Sequence, residues 1–138
     1  MIKITTKSLY AVRAIYAIAR LGGDKQLVSM GKILEIEDIS KKYLEQIFTK
    51  LRNGNIIIGS RGVGGGYKLS RTPDKINLSE IINIMDGPIE TIDCSSADSC
   101  SNYSVCGVNW LWDGLKKCCD DYFEKITIAD LINKPIKL

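Results

Sequence analysis

Three evenly spaced cysteines are the residues of this chain whose chemistry is easiest to define. Cys94, Cys100 and Cys106 are each separated from the next by five residues, in the polar stretch DCSSADSCSNYSVC. Three thiols cannot all pair as disulfides, and the chain contains no histidine. Thiolates are the usual ligands of iron–sulfur clusters, whereas zinc more often takes C-x-x-C pairs with a fourth Cys or His. The pattern therefore favours a cluster over zinc, and a switch based on thiol redox chemistry alone stays open.

The bulk composition is that of an ordinary globular domain. A chain of 138 residues with 45% hydrophobic content can bury a core without a metal or disulfide to hold it together. The basic first twenty residues resemble a transit peptide, but their apolar spacing favours a helix packed inside the domain. There is no signal-peptide core and no apolar run of about 18 residues, so we expect a cytoplasmic protein with no membrane partner.

Charge is distributed unevenly along the chain. Residues 1–75 carry 14 Lys and Arg against 6 Asp and Glu, whereas residues 76–138 carry 5 against 10. A basic half of this kind is typical of a surface that faces a polyanion. Ordinary solvated helix faces are the alternative interpretation.

The first half contains three stretches in which apolar residues recur at helical spacing, each preceded by a typical N-cap residue. Two short helices joined by a tight turn, the second and third here, predict a helix-turn-helix unit. The predicted caps are Thr5 or Thr6, Ser29 and Ser40, ahead of helices that run to about residue 21, over about 30–35 and over about 41–52.

A glycine-rich hairpin is predicted next. Residues 56–58 and 67–69 are apolar strand candidates, and Arg61 lies among several glycines between them. The glycines do not form a nucleotide-binding loop, because the Lys-Ser/Thr pair and the following helix of that motif are missing. The predicted fold is therefore mainly α with a small β-hairpin wing: a winged helix-turn-helix followed by a long C-terminal dimerisation helix.

In a helix-turn-helix unit, the second helix enters the major groove of DNA with its N-terminal residues leading. Gln46 can pair with an adenine edge, Glu45 can accept from cytosine N4, and Arg61 on the wing is placed to enter a narrow minor groove. The candidate DNA-binding residues are Ser40, Lys41, Lys42, Tyr43, Glu45, Gln46, Lys50, Arg61, Gly65 and Tyr67.

The second half is predicted to carry the sensor and the dimer contact. Asn77 and Glu80 form a plausible capping box for a helix that Gly87 and Pro88 end. A long helix over about 105–123 shows a stripe of Val, Leu and Cys that suits a homodimer, which would present two recognition helices to a pseudo-palindromic operator. The alternative is that the stripe covers the core of its own chain. We divide the chain into a winged helix-turn-helix DNA-binding domain, 1–76, and a second region, 77–138. The second region contains a helix, the cluster-binding loop at about 91–106 and the dimerisation helix.

The stretches TTKSLYAVRAI, ISKKYLEQIFTKLRNGNII and SRGVGGGYKLSR, together with the three cysteines, resemble the Rrf-two family of winged-helix transcriptional regulators, in particular its IscR-like members. The resemblance covers nearly the whole chain. It implies a dimeric DNA-binding repressor or activator, not an enzyme, with Cys94, Cys100 and Cys106 as cluster ligands. The IscR-like N-terminal run favours a 2Fe-2S over a 4Fe-4S cluster. A metal-free, thiol-sensing repressor of the CymR-like kind is the alternative.

The fourth ligand departs from the family pattern. IscR-like members have a histidine three residues after the third cysteine, where this chain has Asn109, and nitric-oxide-sensing members have an N-terminal aspartate where it has Leu9. The candidates for this position are Asn109, Asp93, Asp98, Cys118 or Cys119 of a partner chain, or a group from solution.

Overall fold

The computed structural model describes residues 3–90, 97–98 and 100–134. Within these ranges the chain forms six α-helices and one antiparallel hairpin, which confirms the predicted fold class. The elements in chain order are α1 (Thr6–Arg20), α2 (Met30–Ile36), α3 (Lys41–Asn53), β1 (Ile57–Ser60), β2 (Gly66–Leu69), α4 (Leu78–Asp86), α5 (Asn109–Lys125) and α6 (Ile128–Asn133), with single 3-10 turns at Pro73–Lys75 and Tyr103–Val105.

The helix starts follow the local sequence. The hydroxyl of Ser29 accepts a hydrogen bond from the Lys32 amide, and that of Ser40 accepts one from Tyr43 at 3.2 Å. These bonds satisfy amide groups that have no partner within the helix. Asn77 and Glu80 form the reciprocal capping box that the sequence predicts.

The wing is fixed to the body of the domain by a short extension of its sheet. β1 and β2 pair from Ile57 opposite Leu69 to Ser60 opposite Gly66. Tyr67 also exchanges two backbone hydrogen bonds of 2.8 Å with Val28, in the segment before α2. A Cβ on Gly66 would lie 2.2 Å from the Val28 carbonyl oxygen, so only glycine allows this approach. The hairpin is thereby held beside the helix-turn-helix.

The hydrophobic core is centred on α1, which packs against α3, α4 and α6 as well as β2. Its buried residues include Ile15 and Ile18 of α1, Phe48 of α3, Ile81 of α4 and Ile128 of α6. Helices from both halves of the sequence therefore share one core, and the division at residue 76 stays a prediction.

Asp86, at the end of α4, binds the start of α1 across 81 residues of sequence. The Thr5 amide donates to its Oδ2 at 2.9 Å, the Ser8 hydroxyl donates to the same oxygen at 2.7 Å, and the Thr5 hydroxyl donates to Oδ1. Burial raises the pKa of this carboxyl, but the hydrogen bonds from Thr5 and Ser8 outweigh burial and leave the pKa below its ordinary value.

α5 begins at Asn109, four residues later than the sequence predicts, because Tyr103–Val105 forms a separate 3-10 turn. None of its 17 residues is fully buried. In the part of the chain that the structure describes, no helix has the length and apolar character needed to cross a bilayer.

Candidate nucleic-acid interface and cysteine segment

An open groove of about 650 Å³ separates α3 from the wing. Positions 41, 45, 49 and 52 fall on one face of α3, since they follow helical spacing, and this face forms one wall of the groove. The hairpin forms the other wall. The lining residues are Met30, Lys41, Glu45, Thr49, Arg52, Gly59, Ser60, Arg61, Gly62, Gly65, Gly66 and Tyr67.

The charges that line this groove are mainly positive. Lys41, Arg52 and Arg61 are exposed there, and Glu45 is the one acidic group among the described lining residues. Opposed cationic walls of this kind attract a polyanion and can neutralise its phosphates. The single carboxylate penalises any group near it that cannot donate a hydrogen bond.

Five of the ten candidate DNA-binding residues meet in the groove, namely Lys41, Glu45, Arg61, Gly65 and Tyr67. Lys42, Gln46 and Lys50 are exposed on the adjoining face of α3 and do not line it. Ser40 is exposed, and its hydroxyl caps α3.

Two of the aromatic candidates pack against the protein itself. The ring of Tyr67 lies 4.5 Å from that of Phe48, centroid to centroid, which holds the wing against α3. The ring of Tyr43 meets that of Tyr10 edge-on at 5.9 Å, which holds the start of α3 against α1. Both side chains are half-buried, so each one helps to set the shape of the interface.

Sequence reasoning missed Arg52 and Thr49, which line the groove from the end of α3. Their signal was present in the sequence, because Arg52 is eleven residues, about three helical turns, beyond Lys41 on the same face.

The cysteine segment is described in part. Cys94 and Asp93 lie outside the described residues. Cys100 and Cys106 are half-buried thiols on either side of the 3-10 turn, which is closed by hydrogen bonds from the Tyr103 amide to Cys100 O and from the Cys106 amide to Tyr103 O. Among the residues with described positions, no three His, Cys, Asp or Glu side chains come together as a metal-binding group.

Tyr103 joins this segment to α5. Its hydroxyl donates to Asp113 Oδ2 at 2.5 Å, and its carbonyl oxygen accepts from Asn109 Nδ2 at 2.8 Å. The hydrogen bond to the Asp113 carboxylate raises the pKa of the Tyr103 hydroxyl. The amide nitrogen of Asn109 is thus used in the junction, which leaves its Oδ1 as the atom that a metal would require.

α5 presents a continuous apolar stripe to solvent. Val108, Leu111, Leu115 and Tyr122 share one helical face with exposures of 54%, 45%, 39% and 62%, and Cys118 lies exposed among them. Single exposed apolar residues are common, but a stripe over four turns of one helix is typical of a covered interface.

Known proteins resemble the chain over almost its full length. The family model described as Rrf2, an iron-dependent transcriptional regulator, matches residues 4–134. The chain is 33% identical to the HTH-type transcriptional regulator IscR of Erwinia tasmaniensis over 131 residues, 95% of this chain and 79% of that protein.

Solved structures show the same fold. The structure of CymR, the global cysteine regulator of B. subtilis, matches with a TM-score of 0.82 and 26% identity, covering 99% of this chain and all of that one. The structure of T. potens IscR matches with a TM-score of 0.73 and 30% identity, covering 95% of this chain and 86% of that one. The extent of the family match and the shared winged-helix fold give one conclusion: the chain belongs to the Rrf2 family of transcriptional regulators.

Proposed function

We propose that the protein is a homodimeric, sequence-specific DNA-binding regulator whose operator binding is modulated by an iron–sulfur cluster on Cys94, Cys100 and Cys106. The observation that carries the DNA-binding part is the groove in which Lys41 and Arg52 on α3 lie opposite Arg61 on the wing. Membership of a family of transcriptional regulators supports the same function.

In this proposal α3 enters the major groove and the wing lies over the adjacent minor groove. Glu45 lies in the groove wall, where it can accept from cytosine N4, and Gln46 on the adjoining face can pair with adenine. Ser40, Lys42 and Lys50 are exposed for contact with phosphates on either side, and Gly65 allows the wing backbone to approach the duplex.

The homodimer is supported by the α5 stripe. Packing Leu111, Leu115 and Tyr122 against a second copy would remove large apolar surfaces from water, which α5 of one chain leaves exposed. A two-fold axis through this contact places two recognition helices about one DNA turn, ~34 Å, apart. Val108 and Cys118 lie on the same stripe and belong to the proposed contact.

The described cysteines suit the donor chemistry of a cluster. Cys100 and Cys106 are half-buried and not disulfide-bonded. They are separated by five residues in the sequence and lie on either side of the 3-10 turn at Tyr103–Val105. Cys94 supplies the third thiolate in the proposal, and Asn109 Oδ1 is the candidate fourth ligand. A bound cluster held by three thiolates and one weak ligand would be lost readily on exposure to oxygen or nitric oxide or when iron is scarce. We favour a 2Fe-2S over a 4Fe-4S cluster.

We infer that Tyr103 connects the proposed cluster ligands to the proposed dimer helix. The turn that contains Tyr103 leads directly to Cys106, while its hydroxyl and carbonyl groups bind Asp113 and Asn109 of α5. Any displacement of Cys106 on ligation is therefore passed to the start of the proposed dimer helix. Regulation then requires two arrangements of the dimer that DNA and the ligated cysteines favour to different extents.

A metal-free thiol sensor is the second candidate. The TM-score of 0.82 to CymR favours it, as does a solved structure of Staphylococcus aureus CymR in an oxidised form, which matches with a TM-score of 0.73 and 26% identity. In this alternative, the same DNA interface would be controlled by oxidation of exposed or half-exposed thiols.

Anaerobic purification distinguishes the two candidates. Protein isolated without oxygen should be coloured, absorb in the visible range and contain iron and acid-labile sulfide in equal amounts. The matched control replaces Cys94, Cys100 and Cys106 together by serine, which should abolish colour and iron while leaving the helical circular dichroism unchanged. Colourless, iron-free wild-type protein that still binds a duplex selected from a random library would support the thiol sensor.

A further inference from the structure

The wing ends in a turn that carries a single side chain. The Gly65 amide donates to the Gly62 carbonyl oxygen at 3.0 Å and closes a four-residue turn over 62–65. Gly62 and Gly64 have φ of 93° and 77°, the left-handed region that glycine adopts without strain. Between them, Val63 is fully exposed.

The surroundings of this valine suit insertion into a narrow space. Apart from the adjoining residues of the chain, no atom lies within 4 Å of the positions where side chains on Gly62 and Gly64 would begin, so the tip is thin on both sides of Val63. Arg61 and Gly62 line the cationic groove at the base of the turn. A thin apolar tip next to an arginine is matched in shape and charge to the minor groove, which is about 6 Å wide and strongly negative where it is narrow.

We propose that Val63 enters the minor groove beside Arg61, contacts the floor at an A·T pair, and so makes the wing select A·T over G·C. This inference rests on the proposed DNA-binding function. The floor of an A·T pair presents only the acceptors adenine N3 and thymine O2, whereas a G·C pair adds the guanine 2-amino group. The valine methyl groups would clash with that amino group and cannot accept its hydrogen bond.

Val63 adds a contact that does not depend on charge, which Arg61 alone cannot provide. Arginine is drawn by the potential of a narrow groove, and its contribution falls with salt. Valine carries no charge, so its contact releases no counterion from DNA and leaves the salt dependence of binding unchanged. Apolar side chains placed in the minor groove are a common device of DNA-binding proteins.

Inosine provides the direct test. A duplex selected from a random library by the wild-type protein is remade with each flanking A·T pair replaced in turn by G·C or by I·C. An I·C pair lacks the 2-amino group and so has the minor-groove pattern of A·T. At one flanking position, G·C should weaken wild-type binding about fivefold or more, and I·C should restore it to within about twofold.

The Val63→Ser variant tests whether the valine side chain causes the loss of binding to the G·C duplex. It should fold normally, because Val63 is fully exposed, and its penalty for G·C should shrink to less than about twofold, with an unchanged slope of log affinity against log salt. Arg61→Ala, measured in parallel, should lower that slope.

Three outcomes would overturn the inference: equal binding to all three duplexes, I·C behaving like G·C, or Val63→Ser keeping the full penalty. If the penalty disappears in Arg61→Ala but persists in Val63→Ser, the selection belongs to the arginine instead. If the wild-type protein selects no duplex from the library, the proposed DNA-binding function itself fails.

Discussion

Single charged residues in the α3–wing groove act on different parts of a duplex in the proposed complex. Arg61 is an exposed cation that can neutralise phosphate charge, whereas Glu45 gains nothing from phosphates and can only select among base edges. The first contribution is general and sensitive to salt. The second is specific to sequence and nearly independent of salt, so the two can be measured separately.

Replacing Arg61 by alanine should weaken duplex binding about tenfold, most at A·T-rich flanks, and lower the salt slope by about 0.9 for each protomer. The loss follows from the counterions that one cation no longer releases. Fluorescence anisotropy titrations at several salt concentrations measure both quantities.

Arg71→Ala is the matched control for this prediction, because Arg71 is ion-paired with Glu80 at 3.1 Å and does not line the groove. It should leave the slope unchanged. Equal slopes for wild type and Arg61→Ala would show that the wing arginine does not contact the duplex.

Part of the lining of the α3–wing groove could be predicted at the level of residues, while its contact with DNA stays a prediction. Lys41, Glu45 and Arg61 stand out in the sequence because they follow a cap or lie within a glycine-rich tip, and all three line the groove. Arg52 was missed although helical periodicity places it with Lys41. The packing of Tyr67 on Phe48 could not be predicted, because it depends on how the hairpin returns onto α3.

The half-buried carboxylate of Asp86 joins the end of α4 to the start of α1. Asp86 accepts from two hydroxyl groups and one amide at the N-terminus of α1, where the helix dipole also favours negative charge. The lowered pKa of Asp86 means that the folded state stabilises the charged form of this carboxyl group. α1 packs in turn against α3, so this contact holds the part of the core against which α3 lies.

Asp86→Asn should lower the free energy of unfolding by about 1–3 kcal/mol at pH 7, the usual cost of losing hydrogen bonds to a charged group. Because the folded pKa is lowered, the contribution of Asp86 is complete above its ordinary value of 3.8 and is lost as the pH falls below it. The difference between wild type and variant, from urea titrations at pH 7 and pH 3.5, should therefore narrow at the lower pH.

Asp24→Asn, at an exposed position, is the control and should change stability by less than about 0.5 kcal/mol. An Asp86→Asn variant as stable as wild type at pH 7 would mean that the carboxylate does not tie α4 to α1.

Element boundaries were predictable wherever a cap marks them. Ser29, Ser40 and the Asn77–Glu80 pair each start a helix where the sequence indicates. The start of α5 was placed too early, because the residues of the 3-10 turn at Tyr103–Val105 continue the apolar periodicity of the helix. The contact of Asp86 with Thr5 spans 81 residues, and no local pattern predicts such a pairing.

At the scale of the whole chain, the first 75 residues carry a net positive charge, and residues 76–138, which include α5, carry a net negative charge. In the proposed dimer, two chains meet through the α5 stripe, which belongs to the negatively charged part of the sequence. Salt bridges from Lys116 to Asp120 and from Lys117 to Asp121 pair four of the charges of α5 within the helix. The apolar stripe is therefore the part of α5 that should govern assembly.

Leu115→Lys should convert the dimer to monomer at micromolar concentration, because it places a charge in the middle of the stripe. Sedimentation velocity measures the change. Glu124→Lys introduces the same residue at an exposed position on the opposite face of α5 and should leave the dimer intact. Dissociation by both variants, or by neither, would contradict an interface on the stripe.

The most direct test of cluster-controlled DNA binding is the affinity of one selected duplex for anaerobic wild-type protein, for the same protein after iron chelation, and for the variant with Cys94, Cys100 and Cys106 replaced by serine. We expect the iron-containing protein to differ from the other two by about fivefold or more, in the usual range of coupling between sites, and those two to agree with each other. Identical affinities for all three, with iron and sulfide demonstrably present in the first, would contradict the proposed control of DNA binding by the ligated cysteines.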